Sequence, residues 1–166
     1  MMKKLKALIT VSASCVLLWA GAAGAETTDG ATSDGFSADS QLRLRVLTGG
    51  FTSTQVACDT LCTGGPLTGG LAGTLSYRLS TMESTSDPDV VKLTGVDTIT
   101  TATGTLVIPD TTFWNLATGQ FVDAGIVSSG TGAYAGVHGT LVIQGTFDPA
   151  AGHGTSNYVA LLSFPS

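Results

Sequence analysis

Basic residues are scarce in this sequence. Seven Lys and Arg stand against 12 Asp and Glu in 166 residues, and only four of the seven lie beyond residue 25, where all 12 acidic residues are found. Four basic and twelve acidic side chains leave that part of the chain with a formal charge of −8. Phosphate backbones and anionic lipid headgroups are bound through clustered Lys and Arg. The composition therefore argues against nucleic acid and anionic membrane surfaces as partners.

The first 25 residues follow the order of a signal peptide. Three lysines within residues 3–6 precede an apolar run over residues 7–19, and an Ala-Gly-Ala site ends at Ala25. The apolar run falls short of the roughly 20 residues that a bilayer-spanning helix needs. We expect cleavage between Ala25 and Glu26, export to the periplasm or beyond the cell, and no integral membrane segment afterwards.

Cysteine is rare as well, with three in the chain. Cys15 belongs to the predicted leader, which leaves Cys58 and Cys62 in an oxidising compartment where a disulfide is expected. Bridging needs Cα atoms within about 7 Å, whereas an extended strand would hold them about 13 Å apart. The segment is therefore expected to turn, with residues 63–66 continuing as a loop. Zinc or redox chemistry is the alternative, but a second CxxC or a histidine pair does not accompany it.

A helical i, i+3, i+4 stripe of any length is missing beyond residue 40. Residues 26–40 are polar, with two Asp-Gly pairs, and are expected to form a flexible linker. From residue 41 onward, short alternating runs rich in Thr and Val are punctuated by glycine. The sequence therefore predicts one all-β domain over residues 41–166.

The spacing of these runs favours a small antiparallel β-barrel of about eight strands, with a two-sheet sandwich as the alternative. Strands of about ten residues with short connections fill the available length. The candidate strands are residues 41–47, 74–82, 90–96, 97–101, 105–109, 120–127, 137–147 and 155–164.

The densest glycine motif, residues 130–139 (GTGAYAGVHG), lacks the helix that a dinucleotide-binding loop needs, because a strand-like run follows it. No P-loop lysine motif occurs either, so we expect no nucleotide, other cofactor or metal. The spacing suits a tight barrel corner in which glycines adopt positive φ and Tyr134 packs or faces a cavity mouth.

This motif resembles a segment of two related barrel families. Gly130, Thr131, Gly132, Tyr134, Gly136 and Gly139 are similar to the (S/T)GxFxGxxG stretch that opens the penultimate strand of allene oxide cyclases, and to the GTGxF signature of dirigent proteins. The resemblance covers residues 120–164 and implies an eight-stranded antiparallel barrel with an internal apolar cavity. The acidic catalytic group and the Arg–Asp pairs of those families have no matching position here.

Candidate site residues are few. Trp114, Tyr134 and Arg78 are the candidates for contacting a ligand in a barrel cavity. His138 and His153, the only histidines, are expected at opposite ends of one hairpin, about 30 Å apart, too far to share a metal. There is no GxSxG elbow, and no catalytic residue is assigned.

Three hypotheses follow. The first is a non-catalytic exported barrel that binds a small apolar ligand. The second is an isomerase, cyclase or stereo-directing (dirigent-like) protein on the same barrel, which predicts a buried Asp in the cavity, with Arg78 or Arg43 beside it. The third is a structural or cell-surface interaction protein, which predicts an exposed apolar patch and self-association.

Overall fold

A computed structural model describes residues 42–166. The predicted signal peptide, its cleavage site at Ala25 and Glu26, and the linker fall on residues 1–41, outside the described residues. The strands are Arg43–Val56 (β1), Cys62–Leu67 (β2), Gly73–Ser84 (β3), Val90–Thr101 (β4), Gly104–Asn115 (β5), Gln120–Ile126 (β6), Ser129–Gly130 (β7), His138–Asp148 (β8) and His153–Phe164 (β9). Two short 3-10 turns, Gly69–Leu71 and Gly132–Tyr134, complete the described elements.

Eight of these strands close into an antiparallel barrel. Each pairs with its neighbours in the order β1-β2-β3-β4-β5-β6-β8-β9, and β9 pairs back onto β1 from Arg43↔Phe164 to Thr54↔His153. The two-residue β7 adds a short pairing with β5. The predicted all-β barrel is confirmed, and closure leaves no separate second sheet for a sandwich.

Alternation along each strand separates the inside of the barrel from the outside. On β5, Leu106, Ile108 and Trp114 are buried while Pro109 and Phe113 are exposed. The other long strands show the same period of two along most of their length, as expected for a sheet with one buried face. Inward side chains therefore fill or line the interior, and outward ones form the barrel surface.

The two ends of the barrel differ. At the closed end, the connections over residues 68–72 and 127–137 fold inward, and Leu71, Tyr134 and Val137 are buried there. Tyr158 fixes this end: its hydroxyl donates to the carbonyl of Thr68 at 2.7 Å and accepts from the N–H of Leu71 at 2.8 Å. The opposite end, called the loop end below, carries the connections over residues 57–61, 85–89, 116–119 and 149–152.

Several predicted strand limits were wrong. Residues 63–66 form most of β2 rather than a loop, because Thr63 and Gly64 pair with β1 on one side and β3 on the other. Residues 90–96 and 97–101 are one strand, and β5 continues beyond Pro109 to Asn115. Neither β6 nor β7 pairs with Ile108 and Pro109, so the missing proline N–H is tolerated in that interval.

The loop end carries the cystine predicted from the sequence. Cys58 and Cys62 are at disulfide distance, with their Cα atoms 6.1 Å apart across the turn between β1 and β2. The carbonyl of Leu61, inside this turn, accepts the N–H of Leu79 at 2.9 Å. The turn is therefore held against β3 by the sheet as well as by the cystine.

The predicted hairpin and glycine corner are also present. His153 pairs with Asp148 at the loop end and His138 with Ser163 near the closed end, and both histidines are exposed. Gly132 and Gly136 have φ of 59° and 72°, values that favour glycine. Within residues 42–166, no helix is long and apolar enough to cross a membrane.

Candidate functional site

A cavity of about 70 Å³ occupies the loop-end half of the barrel interior. Its apolar lining is dominated by aromatic and branched side chains, with Trp114 and Phe147 packed edge to face at 6.0 Å between ring centres. The apolar lining residues are Phe51, Leu61, Leu75, Leu93, Trp114, Phe121, Ile143 and Phe147, and the polar ones are Ser53, Thr63, Tyr77, Asp97, Thr112 and Asp123.

Three aspartates point into the barrel from adjacent strands. Asp97 on β4, Asp110 on β5 and Asp123 on β6 are 1%, 7% and 6% exposed. Each offers a carboxylate oxygen that lies within 4.8 Å of those of the other two. Asp97 and Asp123 line the cavity, and Asp110 is next to them without lining it. We call these residues the aspartate cluster.

Strand register brings the cluster together. Asp110 is paired with Gly95 on β4 and with Gly125 on β6, so no side chain flanks it on either neighbouring strand. A Cβ on Gly95 would collide with the ring of Tyr77, and one on Gly125 would collide with Ile108. The two glycines therefore provide the room in which the carboxyls and the Tyr77 ring fit.

Much of the hydrogen-bonding capacity of this site has no protein partner. The hydroxyl of Tyr77, one oxygen each of Asp97 and Asp123, and both oxygens of Asp110 are buried without a hydrogen bond. The described basic side chains lie elsewhere: three arginines are exposed on the barrel surface, and Lys92 pairs with Glu83 at 3.3 Å. Buried polar atoms usually have hydrogen-bond partners, so this group has unsatisfied hydrogen-bonding capacity.

Burial makes the cluster hold protons near neutral pH. Desolvation, and then the neighbouring charge of Asp110, raise the pKa of Asp123 to about 7. Desolvation also raises the pKa of Asp110 to about 6. The pKa of Asp97 lies well above its usual value because of burial, the charges of Asp123 and Asp110, and a hydrogen bond with the Asp123 carboxyl. Burial and the three carboxyls raise the pKa of Tyr77 in turn.

Three kinds of chemistry are open to such a cluster. A protonated carboxyl can donate to a carbonyl or exchange a proton with a ligand, as buried acids with raised pKa do. Ionised carboxylates can hold an organic cation. They can also ligate a metal ion such as Ca²⁺, which takes six to eight oxygens, because the three carboxylates of Asp97, Asp110 and Asp123 offer up to six.

The sequence-predicted site residues are not brought together. Trp114 lines the cavity, and its indole N–H donates to the carbonyl of Gly119 at 3.2 Å. Tyr134 is buried at the closed end against Phe164, at 6.2 Å between ring centres, and does not line this cavity. Arg78 is exposed on the outer face of β3, away from the cavity lining.

The glycine motif also lies away from the cavity. Its members form the closed-end corner around the second 3-10 turn and the start of β8, and none of them lines the cavity; they are Gly130, Thr131, Gly132, Tyr134, Gly136 and Gly139. This placement agrees with a role in building the corner.

Sequence reasoning missed the aspartate cluster, although a signal was present. Asp110 falls in the same alternating phase as Leu106, Ile108 and Trp114, and Asp97 falls in phase with Ile99. An acidic residue in the buried phase of a strand marks a functional candidate. The prediction misses this signal because it places a strand boundary between residues 96 and 97 and ends the next strand at Pro109.

Comparisons of the chain with protein-family models, with curated proteins and with solved structures found no match. The resemblance to allene oxide cyclases and dirigent proteins therefore remains a prediction from the glycine motif.

Proposed function

We propose that this protein binds a small, mainly apolar ligand inside its barrel. The observation that carries this proposal is the cavity near the loop end, where Trp114, Phe121 and Phe147 present aromatic surface next to buried polar groups. Ligand sites in small barrels combine an apolar wall with a few polar groups that fix orientation. The aspartate cluster and Tyr77 supply those polar groups at this site.

The proposal also includes the location of the protein. The leader-like first 25 residues predict export, and the close approach of Cys58 and Cys62 suits an oxidising compartment. We also propose that the chain is related to allene oxide cyclases and dirigent proteins, because its barrel has the eight strands that the resemblance implies. We infer a periplasmic or extracellular binding protein.

Native mass spectrometry of the protein purified from its own producing cells tests this function. We expect a stoichiometric small-molecule adduct that disappears on denaturation. Leu61→Trp should reduce the adduct, because Leu61 lines the cavity and the larger ring would occupy it. Leu116→Trp is the matched control, since Leu116 is 48% exposed in another loop of the same end and does not line the cavity.

Either of two results would contradict the proposal. One is a bare protein mass that stays bare after incubation with small aromatic and aliphatic compounds. The other is an adduct that Leu61→Trp and Leu116→Trp reduce equally, which would place the molecule outside the cavity.

A second candidate is an isomerase or cyclase that moves a proton on its bound ligand. The buried carboxyl at Asp123, with its pKa raised to about 7, favours this function, because a catalytic acid or base works best near the ambient pH. The arginine partner expected from the sequence is missing from the cavity lining, so the carboxyls would act without it. In that case the adduct recovered from Asp123→Asn would differ in structure from the one recovered from the unmodified protein.

A further inference from the structure

We propose that the ligand is an organic cation: an apolar body that carries a protonated amine, with the ammonium lying between Asp97 and Asp123. This inference rests on the binding function proposed above and names its ligand class. Its first support is that apolar and acidic groups share one cavity. Trp114, Phe121 and Phe147 line this cavity together with two buried carboxyls.

The unpaired atoms point to a missing donor. Every buried atom without a partner at this site is an oxygen, four of them on the three carboxyls and one on Tyr77. The ionised carboxylates are pure acceptors, and an ammonium offers three donors. Tyr77 adds an observation that does not depend on the acids: its side chain lines the cavity, and its hydroxyl is buried with no well-formed hydrogen bond, although Thr112 lies beside it.

The spacing of the carboxyls accommodates an ammonium. Charge-assisted N–H···O bonds of about 2.8 Å directed tetrahedrally from one nitrogen place their acceptors about 4.6 Å apart. One carboxylate oxygen from each of Asp97, Asp110 and Asp123 lies within 4.8 Å of those of the other two. One nitrogen in the cavity can therefore reach the two lining carboxyls, Asp97 and Asp123, with Asp110 next to them.

The loop end is also acidic on its surface. Asp59, Asp87, Asp89, Asp148 and Glu83 are all exposed in or next to its loops. The described basic side chains in this half are Arg78, which is exposed, and Lys92, which is paired with Glu83. A negative rim attracts cations towards the interior and repels anions.

An organic amine fits better than a metal ion or a neutral ligand. A metal ion would use only the carboxyl oxygens and would leave the mainly apolar cavity lining without a role. A neutral carbonyl compound would accept one hydrogen bond from a protonated carboxyl and leave the remaining carboxylate oxygens unpaired, which is costly in a buried site.

The proposal makes affinity depend on pH. The titratable groups that face the ammonium are Asp97 from β4, Asp110 from β5, Asp123 from β6 and Tyr77 from β3. The cavity-lining residues of β1, β2 and β8 contribute no ionisable side chain, and Tyr158 on β9 is engaged at the closed end. With pKa values of about 6 for Asp110 and about 7 for Asp123, these two carboxyls are largely protonated at pH 5 and largely ionised at pH 8. Burial and the two neighbouring carboxyls hold the pKa of Asp97 well above its usual value.

Calorimetric titration of the purified protein with benzylamine and benzyl alcohol tests the inference, because the two probes match in shape and differ in charge. At pH 8 we expect benzylamine to bind at least about tenfold more tightly, the usual worth of a charge-assisted hydrogen bond. At pH 5 this preference should disappear while the affinity for benzyl alcohol changes little. Asp123→Asn should reduce the preference at pH 8.

Asp89→Asn is the matched control, since it removes one negative charge from the loop end without touching the cavity, and it should keep the preference. Equal or tighter binding of benzyl alcohol at pH 8 overturns the amine while leaving apolar ligand binding intact. If neither probe binds, both proposals fail. Binding of Ca²⁺ that Asp123→Asn abolishes, without binding of benzylamine, would assign the cluster to a metal instead.

Discussion

Burial controls the charge of single residues in this barrel. Asp97 is 1% exposed and shares its surroundings with two further carboxyls, so its ionised form is penalised by desolvation and by like charge. Acidic residues are almost never fully buried unless they are paired. A fold that keeps three of them inside therefore loses stability at this site, which is the usual sign of a functional rather than a structural role.

Stability should accordingly fall as pH rises. The folded pKa values of Asp110 and Asp123, about 6 and about 7, lie above the usual aspartate value, so the folded chain holds protons that the unfolded chain releases. The resulting stability is fully present below about pH 4 and is lost as pH rises through 6 and 7, by up to about 1.4 kcal/mol per pH unit for each proton. Urea unfolding at pH 4.5, 6 and 8 measures this slope.

Asp97→Asn should raise the free energy of unfolding at pH 8 by about 1 to 3 kcal/mol, because it removes a buried carboxyl and its amide can donate to a neighbouring carboxylate. The same substitution should also make the free energy of unfolding depend less steeply on pH. Asp89→Asn, at an exposed position, should leave the slope unchanged. A stability that increases from pH 4.5 to pH 8 would show that the cluster is paired in solution.

Individual strands show which parts of the fold and of the site the sequence can predict. Alternation identified the β class and the barrel, because Leu, Ile and Val at every second position need one buried face. It missed β2, since Gly64, Gly65 and Pro66 have low strand propensity and become a strand only through pairing with β1 and β3. The aspartate cluster depends on the register between β4, β5 and β6, which closure of the barrel sets and local sequence does not.

The turn between β1 and β2 allows a test of the cystine. Replacing both cysteines, Cys58→Ala with Cys62→Ala, should lower the free energy of unfolding by about 2 kcal/mol, as expected for closing so short a loop. The fold should survive, because the N–H of Leu79 still bonds to the carbonyl of Leu61. Urea unfolding of this variant and of the unmodified protein in reductant should give the same midpoint. If both midpoints equal that of the unmodified protein without reductant, the thiols are not bonded in solution.

The outer surface of the whole barrel is unevenly apolar. Exposed apolar side chains face each other across neighbouring strands, Val46 opposite Leu161, Val142 opposite Val159, and Phe113 opposite Val122. These pairs extend over β1, β9, β8, β6 and β5 and are 40% to 63% exposed. Large exposed apolar patches usually mark contacts with other proteins. We call it the apolar face.

A second copy of the chain is the simplest partner for the apolar face, and self-association is therefore the whole-molecule prediction. Light scattering coupled to gel filtration should give a mass that is a multiple of the protomer. Val159→Lys, at the centre of the face, should shift the protein towards the monomer, because an unpaired lysine ammonium is costly in an apolar contact. Met82→Lys is the matched control: Met82 is 53% exposed, close to the 51% of Val159, but it lies on β3 outside the face. A monomeric unmodified protein at micromolar concentration would contradict the prediction, whereas loss of the oligomer in both variants would indicate a charge effect and not a defined interface.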